Sequence, residues 1–223
     1  MGDQEAQRPY PCNHIPAAGR CRVILLSVTD TSGRPTNMPP PIVKDEIYRD
    51  AAPFVRRCAE RIVAAANGKP ILDMACGSGR NTILLARLGG TVICIDRGLS
   101  TLDGNLKRQR RILAGFATRL IPERIDLLSD PWPFGPRSIG GIINVHCFLT
   151  ALLPAFALSL TPQAYLLLET VPGHGANYLE LPQRGALHVA LEPAFDLASY
   201  EERPAGPAEH NAVVVKLLAR RKA

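Results

Sequence analysis

The chain contains 223 residues, of which 46% are hydrophobic and 21% are charged, a composition typical of soluble globular proteins. This length allows one sizeable hydrophobic core and does not by itself indicate two domains. No segment approaches the ~18 consecutive apolar residues of a membrane span, and no early apolar run suits a secretory signal, so we expect a cytoplasmic protein with no membrane partner.

The formal net charge of +6 permits an anionic partner. Basic residues concentrate on one polar segment and at the C-terminus: Lys107, Arg108, Arg110 and Arg111, then Arg220, Arg221 and Lys222. Neither group is interleaved with the aromatic residues that stack on single-stranded nucleic acids. We interpret them as a solvated helix face and a solubilising tail, which disfavours a nucleic-acid partner without excluding one.

The six cysteines form no Cys-x-x-Cys pair, and four of them lie within apolar segments: Cys58, Cys76, Cys94 and Cys147. This pattern predicts reduced, buried thiols that behave as small hydrophobic side chains. Cys12, His14 and Cys21 do not have the spacing of a common zinc site and lack a fourth ligand. We therefore predict no bound metal.

The first part of the chain differs in composition from the rest. Seven prolines occur within the first 41 positions, more than a packed domain tolerates well. We predict a flexible, proline-rich arm over residues 1–43 and a folded domain over residues 44–223. Within the arm, Val23–Val28 is the one segment that could add an edge strand.

Helix and strand patterns alternate from Asp45 onward. Apolar residues recur every three or four positions from Ile47 to Val63, which predicts an amphipathic helix with Pro53 in its first turn. The later segments predict strands at 70–75, 91–95, 118–121, 141–145, 165–169, 195–200 and 212–218, and helices at about 81–88, 100–113, 149–160 and 184–191. This alternation predicts a parallel sheet with helices on both faces, and the turn-rich segment 203–207 predicts a final antiparallel hairpin.

A glycine loop with the pattern Asp73-x-x-x-Gly77-x-Gly79 follows the first of these strands. In open α/β sheets ligands bind at the carboxyl ends of the strands, where glycines allow the backbone to approach a ligand closely. Asp96 ends the next strand, 17 residues after Gly79, and can accept hydrogen bonds from two ribose hydroxyls. Thr82 replaces the third glycine of a nicotinamide fingerprint, which disfavours a nicotinamide oxidoreductase.

The segment Ile71–Asn81 resembles motif I of the class I S-adenosylmethionine-dependent methyltransferases. Its sequence Asp-x-Ala-Cys-Gly-Ser-Gly-Arg is similar to that of the tellurite-resistance-type branch. The resemblance extends in element order over residues 45–220 and implies a single doubly wound, Rossmann-like sheet of seven mostly parallel strands with an antiparallel last strand. It implies S-adenosyl-L-methionine as cofactor, with contacts from Asp73, Ala75, Cys76, Gly77, Ser78, Gly79, Asp96, Arg97, Asp126 and Leu127.

Within that resemblance, Asp126 is our choice for the residue beside the adenine amino group, and Asp130 is its rival. The end of the fourth strand, Asn144–Phe148, is expected to face the transferred methyl group, with His146 as a candidate catalytic base. Other residues are acceptor-side candidates by position alone: Glu169, Thr170, His174, Asn177 and Tyr178. Trp132 has two equally supported interpretations, an apolar cover over the loop or a side chain that simply packs in the core.

These observations predict a methyltransferase that acts on a small-molecule acceptor. A soft acceptor such as a thiol or a chalcogen anion needs no base, whereas a hydroxyl or an amine benefits from one, and the sequence leaves both open. Two alternatives remain, an RNA methyltransferase and a non-catalytic cofactor-binding protein on the same fold. The sequence makes no prediction of oligomeric state.

Overall fold

The computed structural model describes residues 49–171 and 181–223. The predicted arm over residues 1–43, its Val23–Val28 segment and the start of the first helix pattern lie outside the described residues. The same is true of the zinc candidates Cys12, His14 and Cys21, and of the loop candidates His174, Asn177 and Tyr178.

The described part of the chain contains six complete α-helices and seven strands, and Arg49 and Asp50 are helical as well. The helices are α1 Pro53–Ala65, α2 Arg80–Arg87, α3 Ser100–Arg108, α4 Arg110–Leu113, α5 Leu153–Ser159 and α6 Ala186–Leu191. The strands are β1 Ile71–Met74, β2 Val92–Asp96, β3 Leu120–Arg124, β4 Ile139–Val145, β5 Leu160–Glu169, β6 Phe195–Pro204 and β7 Val213–Arg221. None of these helices is long and apolar enough to cross a membrane.

The strands form one sheet in the order β3-β2-β1-β4-β5-β7-β6. The first five are parallel, while β7 pairs antiparallel with both β5 and β6. The predicted seven-stranded, mostly parallel, doubly wound sheet is therefore confirmed. In register, Met74 of β1 lies beside Ile95 of β2 and Asn144 of β4, and Asn144 lies beside Leu168 of β5. The carboxyl ends of these four strands consequently meet at one edge of the sheet.

Alternate residues of the central strands supply two separate cores. Ile71, Ile143 and Leu167 pack with α1 and α2, whereas their neighbours Leu72 and Ile142 pack with α5 and α6 on the other face. The central strands β1 and β4 are buried on both faces, as their continuous apolar runs require. Gly140 allows α1 to end close to the sheet, because a Cβ at this position would lie 2.6 Å from the carbonyl oxygen of Ala66.

Some element bounds differ from those predicted. Residues 117–119 form a 3-10 turn, so β3 begins at Leu120 rather than at 118 and continues through Pro122. A proline argues against a strand, but β3 is an edge strand and its missing N–H breaks no ladder within the sheet. The predicted helix over 100–113 is divided at Gln109, and Pro154 lies in the first turn of α5.

The interpretation of the C-terminal residues as a solubilising tail is wrong for two of them. The Arg221 guanidinium donates hydrogen bonds to the carbonyl oxygens of Ala157 (2.8 Å) and Ala194 (3.0 Å). The Lys222 ammonium donates to the carbonyl oxygen of Glu192 at 2.7 Å. These cations donate to carbonyl oxygens in the last turn of α5 and just after the end of α6, a placement that helix dipoles favour.

Four cysteines lie in the described part of the chain, and all four are free. Cys58, Cys76 and Cys94 are buried, as their apolar surroundings predict, whereas Cys147 is only half-buried. Cys76 and Cys94 pack with Leu102 of α3 beneath the loop that follows β1. Their role in the described structure is to fill this small core.

Candidate cofactor site

The loop between β1 and α2 turns sharply at three left-handed residues. Ala75, Gly77 and Gly79 have φ values of +50°, +55° and +74°. A Cβ on Gly79 would lie 2.4 Å from Cδ1 of Leu102, so glycine at 79 allows α3 to pack beneath the loop. A Cβ on Gly77 would meet nothing within 4 Å. Gly77 therefore presents its bare backbone to the open side of the loop.

Ala75 has a backbone conformation that suits glycine better than alanine. The left-handed region costs an L-residue about 1–2 kcal/mol, while glycine loses about 0.5–1 kcal/mol more than alanine through its freedom in the unfolded chain. We expect Ala75→Gly to stabilise the protein by about 0.5–1 kcal/mol in a urea titration. Ala64→Gly, on the exposed face of α1, is the control, and is expected to destabilise by about 1 kcal/mol. A lower unfolding free energy for Ala75→Gly than for the wild type would show that the backbone at Ala75 is not strained.

The carboxylate of Asp96 lies against the open side of the loop. Its Oδ2 accepts a hydrogen bond from the backbone N–H of Gly77 at 2.9 Å, and its Oδ1 accepts one from the N–H of Gly98 at 3.1 Å. Asp96 is half-buried, so its carboxylate stays reachable from the edge of the sheet. One side chain thus ties together the loops that follow β1 and β2.

Asp73 lies behind the loop rather than beside Asp96. It is 1% exposed, and its Oδ2 accepts a hydrogen bond from the hydroxyl of Thr82 on α2. Burial raises the pKa of Asp73 from its ordinary value to about 7, against the opposing effect of the Thr82 hydroxyl. Thr82 occupies the position of the third glycine in a nicotinamide fingerprint. This replacement is the only feature of the sequence that indicates a special role for Thr82.

The predicted adenine-side residues form a turn that follows β3. The N–H of Ile125 donates to the carbonyl oxygen of Asp96, which joins this turn to the end of β2. Oδ1 of Asp126 accepts from the N–H of Leu128 at 3.0 Å, and the N–H of Asp126 donates to Oδ2 of Asp130 at 2.8 Å. Both candidates therefore belong to one turn, beside Asp96.

Two other predicted residues differ in their surroundings. Leu127 is half-buried and packs against the core on the α5 and α6 face. Arg97 is exposed, and its carbonyl oxygen accepts a hydrogen bond from Nε of Arg124 at 3.1 Å. The backbone carbonyl of Ser78 accepts from the side-chain amide of Asn105 at 2.7 Å, which fastens the glycine loop to α3.

Asn144 at the end of β4 is the most notable buried polar residue at this edge. Its side chain is 1% exposed, and neither its amide nitrogen nor its amide oxygen has a hydrogen-bond partner in the described structure. An unpaired buried polar group costs about 1–3 kcal/mol, so such groups in native proteins indicate a missing ligand or water. Asn144 lies beside Met74, next to the start of the glycine loop.

His146 follows β4 with a φ of +71°, an uncommon value for a residue other than glycine. Its N–H donates to the carbonyl oxygen of Glu169 at 2.9 Å, which holds the backbone to the end of β5. Desolvation lowers the pKa of His146, the positive charges of Arg80 and Lys216 lower it further, and Glu169 opposes them. The lowered pKa favours the neutral imidazole, the form that can accept a proton.

Lys216 on β7 also lies at this edge of the sheet, although the sequence did not predict it there. Its ammonium lies 2.9 Å from Oε1 of Glu169, whose side chain is almost fully buried. The available signal was a single lysine within the apolar run Val213–Ala219. Its partner on β5 is 47 positions earlier in the chain, so the pairing depends on the position of β7 beside β5.

Trp132 belongs to the core rather than to a cover over the site. Its indole N–H donates to the hydroxyl of Ser159 at 2.8 Å, and its ring lies 5.1 Å from that of Phe134 and 5.4 Å from that of Phe156. Of the two readings of Trp132, simple packing is the one that these contacts support.

No protein-family model matches this sequence, and no curated protein sequence matches it. Solved structures with the same fold do exist. The MccD protein superposes with a TM-score of 0.55 at 12% identity, over 76% of this chain and 96% of its own. A geranyl diphosphate C-methyltransferase from Streptomyces coelicolor A3(2), solved with Mg²⁺, geranyl diphosphate and S-adenosyl-L-homocysteine, gives 0.54 at 12% identity, over 75% and 80%.

A third structure with this fold has a different activity in its name. The [4+2]-cyclase SpnF superposes with a TM-score of 0.53 at 15% identity, over 75% of this chain and 82% of its own. At such identities the likeness shows the fold alone, which is the Rossmann-like fold of S-adenosylmethionine-dependent methyltransferases. Because one fold serves several chemistries, the activity has to be argued from the site.

Proposed function

We propose that this protein is an S-adenosylmethionine-dependent methyltransferase that acts on a small-molecule acceptor. One observation carries the proposal: the Asp96 carboxylate is held against the bare backbone of Gly77 at the carboxyl edge of the sheet. This arrangement pairs an acceptor of hydroxyl hydrogen bonds with a surface that a ligand can approach closely. It suits a nucleoside whose ribose hydroxyls donate to Asp96.

The residues at this edge fit the remaining parts of S-adenosylmethionine. Asn144 offers one unpaired donor and one unpaired acceptor, which suit the carboxylate and the amino group of a methionine moiety. Asp126, in the turn beside Asp96, is the proposed partner of the adenine amino group. The predicted contacts from Asp73 to Gly79 would supply the backbone surface between the adenine and methionine ends of the cofactor. Asp73 itself contributes indirectly, because it accepts a hydrogen bond from Thr82 behind the loop.

The bound cofactor supplies an electrophilic methyl group, and the chain positions the nucleophile and handles its proton. His146 is the proposed group for that proton, because its neutral imidazole follows β4 next to Asn144. Its left-handed backbone is held by the hydrogen bond to Glu169 at the end of β5. Strained residues of this kind are frequent at active sites.

The choice of a small-molecule acceptor draws support from the geranyl diphosphate methyltransferase with the same fold. The tellurite-resistance-type resemblance of the glycine loop stays a prediction. An RNA acceptor is the second candidate, motivated by the exposed basic residues of α3 and α4: Lys107, Arg108, Arg110 and Arg111. Activity on RNA would fall steeply with salt, whereas activity on a small neutral acceptor would not.

Calorimetry on the full chain tests the cofactor. We expect S-adenosylmethionine and S-adenosylhomocysteine to bind, and NAD not to bind at similar concentration. Transfer of a labelled methyl group to an acceptor library then tests the enzyme, and His146→Ala is expected to reduce transfer while it preserves S-adenosylhomocysteine binding. Binding of NAD alone would overturn the proposal. Cofactor binding without transfer to any acceptor would favour the non-catalytic alternative.

A further inference from the structure

A second group of charged residues lies at the carboxyl edge of the sheet, outside the proposed cofactor contacts. Oε1 of Glu169 pairs with the Lys216 ammonium at 2.9 Å, and His146 lies close enough to both for their charges to act on its imidazole. Arg80, the first residue of α2, acts on the same imidazole and on Asp73. These charges therefore act together near the carboxyl end of β4.

The other oxygen of Glu169 has no partner. Oε2 is buried and makes no hydrogen bond in the described structure, although the residue is only 6% exposed. The backbone around it is fixed, since the Glu169 carbonyl accepts from His146 and the next residue, Thr170, exchanges two hydrogen bonds with Val215. A rigid, buried carboxylate oxygen without a donor is costly unless a ligand supplies one.

Strand register gives the backbone separation between Glu169 and the glycine loop. Val145 of β4 lies beside Glu169, and Asn144 lies beside Met74, so Glu169 and Ala75 stand at the same level of the sheet. Neighbouring strands are about 4.8 Å apart, which separates the backbones of β1 and β5 by about 10 Å. A small molecule between the loop and β5 would span this distance.

We propose that Oε2 of Glu169 accepts a hydrogen bond from an N–H or O–H group of the methyl acceptor, and that Lys216 holds the carboxylate in place. This inference rests on the proposed function and narrows its substrate class to acceptors with a hydrogen-bond donor. A thiolate or a chalcogen anion is unsuited to this position, because it would bring a second negative charge to a buried carboxylate and leave its oxygen unpaired.

Four probes that share a phenyl ring test the inference: phenol, aniline, anisole and thiophenolate. Each is titrated by calorimetry into the full chain saturated with S-adenosylhomocysteine. We expect phenol and aniline to bind about 10-fold or more tightly than anisole and thiophenolate, the ratio expected for one hydrogen bond to a charged group. Equal binding of all four, preference for thiophenolate, or no binding of phenol and aniline would overturn the inference.

Two variants assign the effect to Glu169. Glu169→Gln is expected to reduce the discrimination against thiophenolate, whereas Glu201→Gln, in an exposed ion pair with Arg203, leaves it unchanged. The exchange Glu169→Lys with Lys216→Glu keeps an ion pair at this position and is expected to reverse the preference toward thiophenolate. Wild-type affinity for S-adenosylhomocysteine in each variant shows that the fold and the cofactor site are intact. Failure of the wild type to bind S-adenosylhomocysteine would instead contradict the proposed function.

Discussion

Replacement of Asp73 by asparagine is expected to remove a large pH dependence of stability. Burial raises the pKa of Asp73 to about 7 in the folded protein, whereas an unfolded chain has the ordinary value of 3.8. Between these values the folded state keeps a proton that the unfolded state has lost. The contribution of Asp73 to stability is therefore fully present below pH 3.8 and is lost as the pH rises through about 7. The loss is as much as about 4 kcal/mol.

Urea denaturation of wild type and Asp73→Asn at several pH values measures this effect. The difference between the two plots of unfolding free energy against pH isolates Asp73 from the other titrating groups. We expect the stability of the variant to rise relative to that of the wild type between pH 4 and pH 8. The asparagine oxygen can still accept the hydrogen bond from Thr82. Asp103→Asn, on the exposed side of α3, is the control, and should show parallel curves. Parallel curves for Asp73→Asn as well would refute the raised pKa.

Asp96→Ala is expected to weaken binding of S-adenosylhomocysteine by about 10- to 100-fold, or about 1.5–3 kcal/mol. The substitution removes the proposed partner of two ribose hydroxyls. It also leaves the N–H groups of Gly77 and Gly98 without their acceptor, so the two loops lose the side chain that joins them. Calorimetry at constant pH and salt measures the loss.

Asp103→Ala is the matched control, because it removes an exposed carboxylate from the neighbouring helix α3. A thermal denaturation scan separates the two roles of Asp96. A loss of affinity with little change in melting temperature indicates direct contact with the ligand, whereas a large fall in melting temperature indicates that the loops are held mainly by Asp96. Unchanged affinity would remove Asp96 from the site.

These two aspartates lie on neighbouring strands beside the same glycine loop, and their different roles have a physical reason. Asp73 belongs to a strand buried on both faces, so its side chain enters the core and meets Thr82. Asp96 is the last residue of its strand, where the sheet ends and the backbone N–H groups of two loops converge. Burial therefore raises the pKa of Asp73, whereas Asp96 serves as a hydrogen-bond acceptor for two loops.

The sequence by itself determined the local features of this protein. Alternation of apolar runs with amphipathic segments predicted the strands and helices, because burial on two faces requires continuous apolar strands. The spacing of Asp73, Gly77 and Gly79 predicted a tight loop, and the position of Asp96 at a strand end placed it at the same edge. The segment from Asn144 to His146 was predicted to lie there too, by the same argument. All of these depend on residues close together in the chain.

Only the tertiary structure decided which distant residues meet. The position of β7 between β5 and β6 brings Lys216 to Glu169, and the placement of β4 beside β1 brings Asn144 to the glycine loop. Arg221, expected to belong to a solvated tail, instead donates hydrogen bonds to the carbonyl oxygens of Ala157 in α5 and of Ala194 after α6. Strand pairing joins segments that are far apart in the chain, so local sequence patterns do not predict it. The order of the strands depends on how the whole sheet is buried.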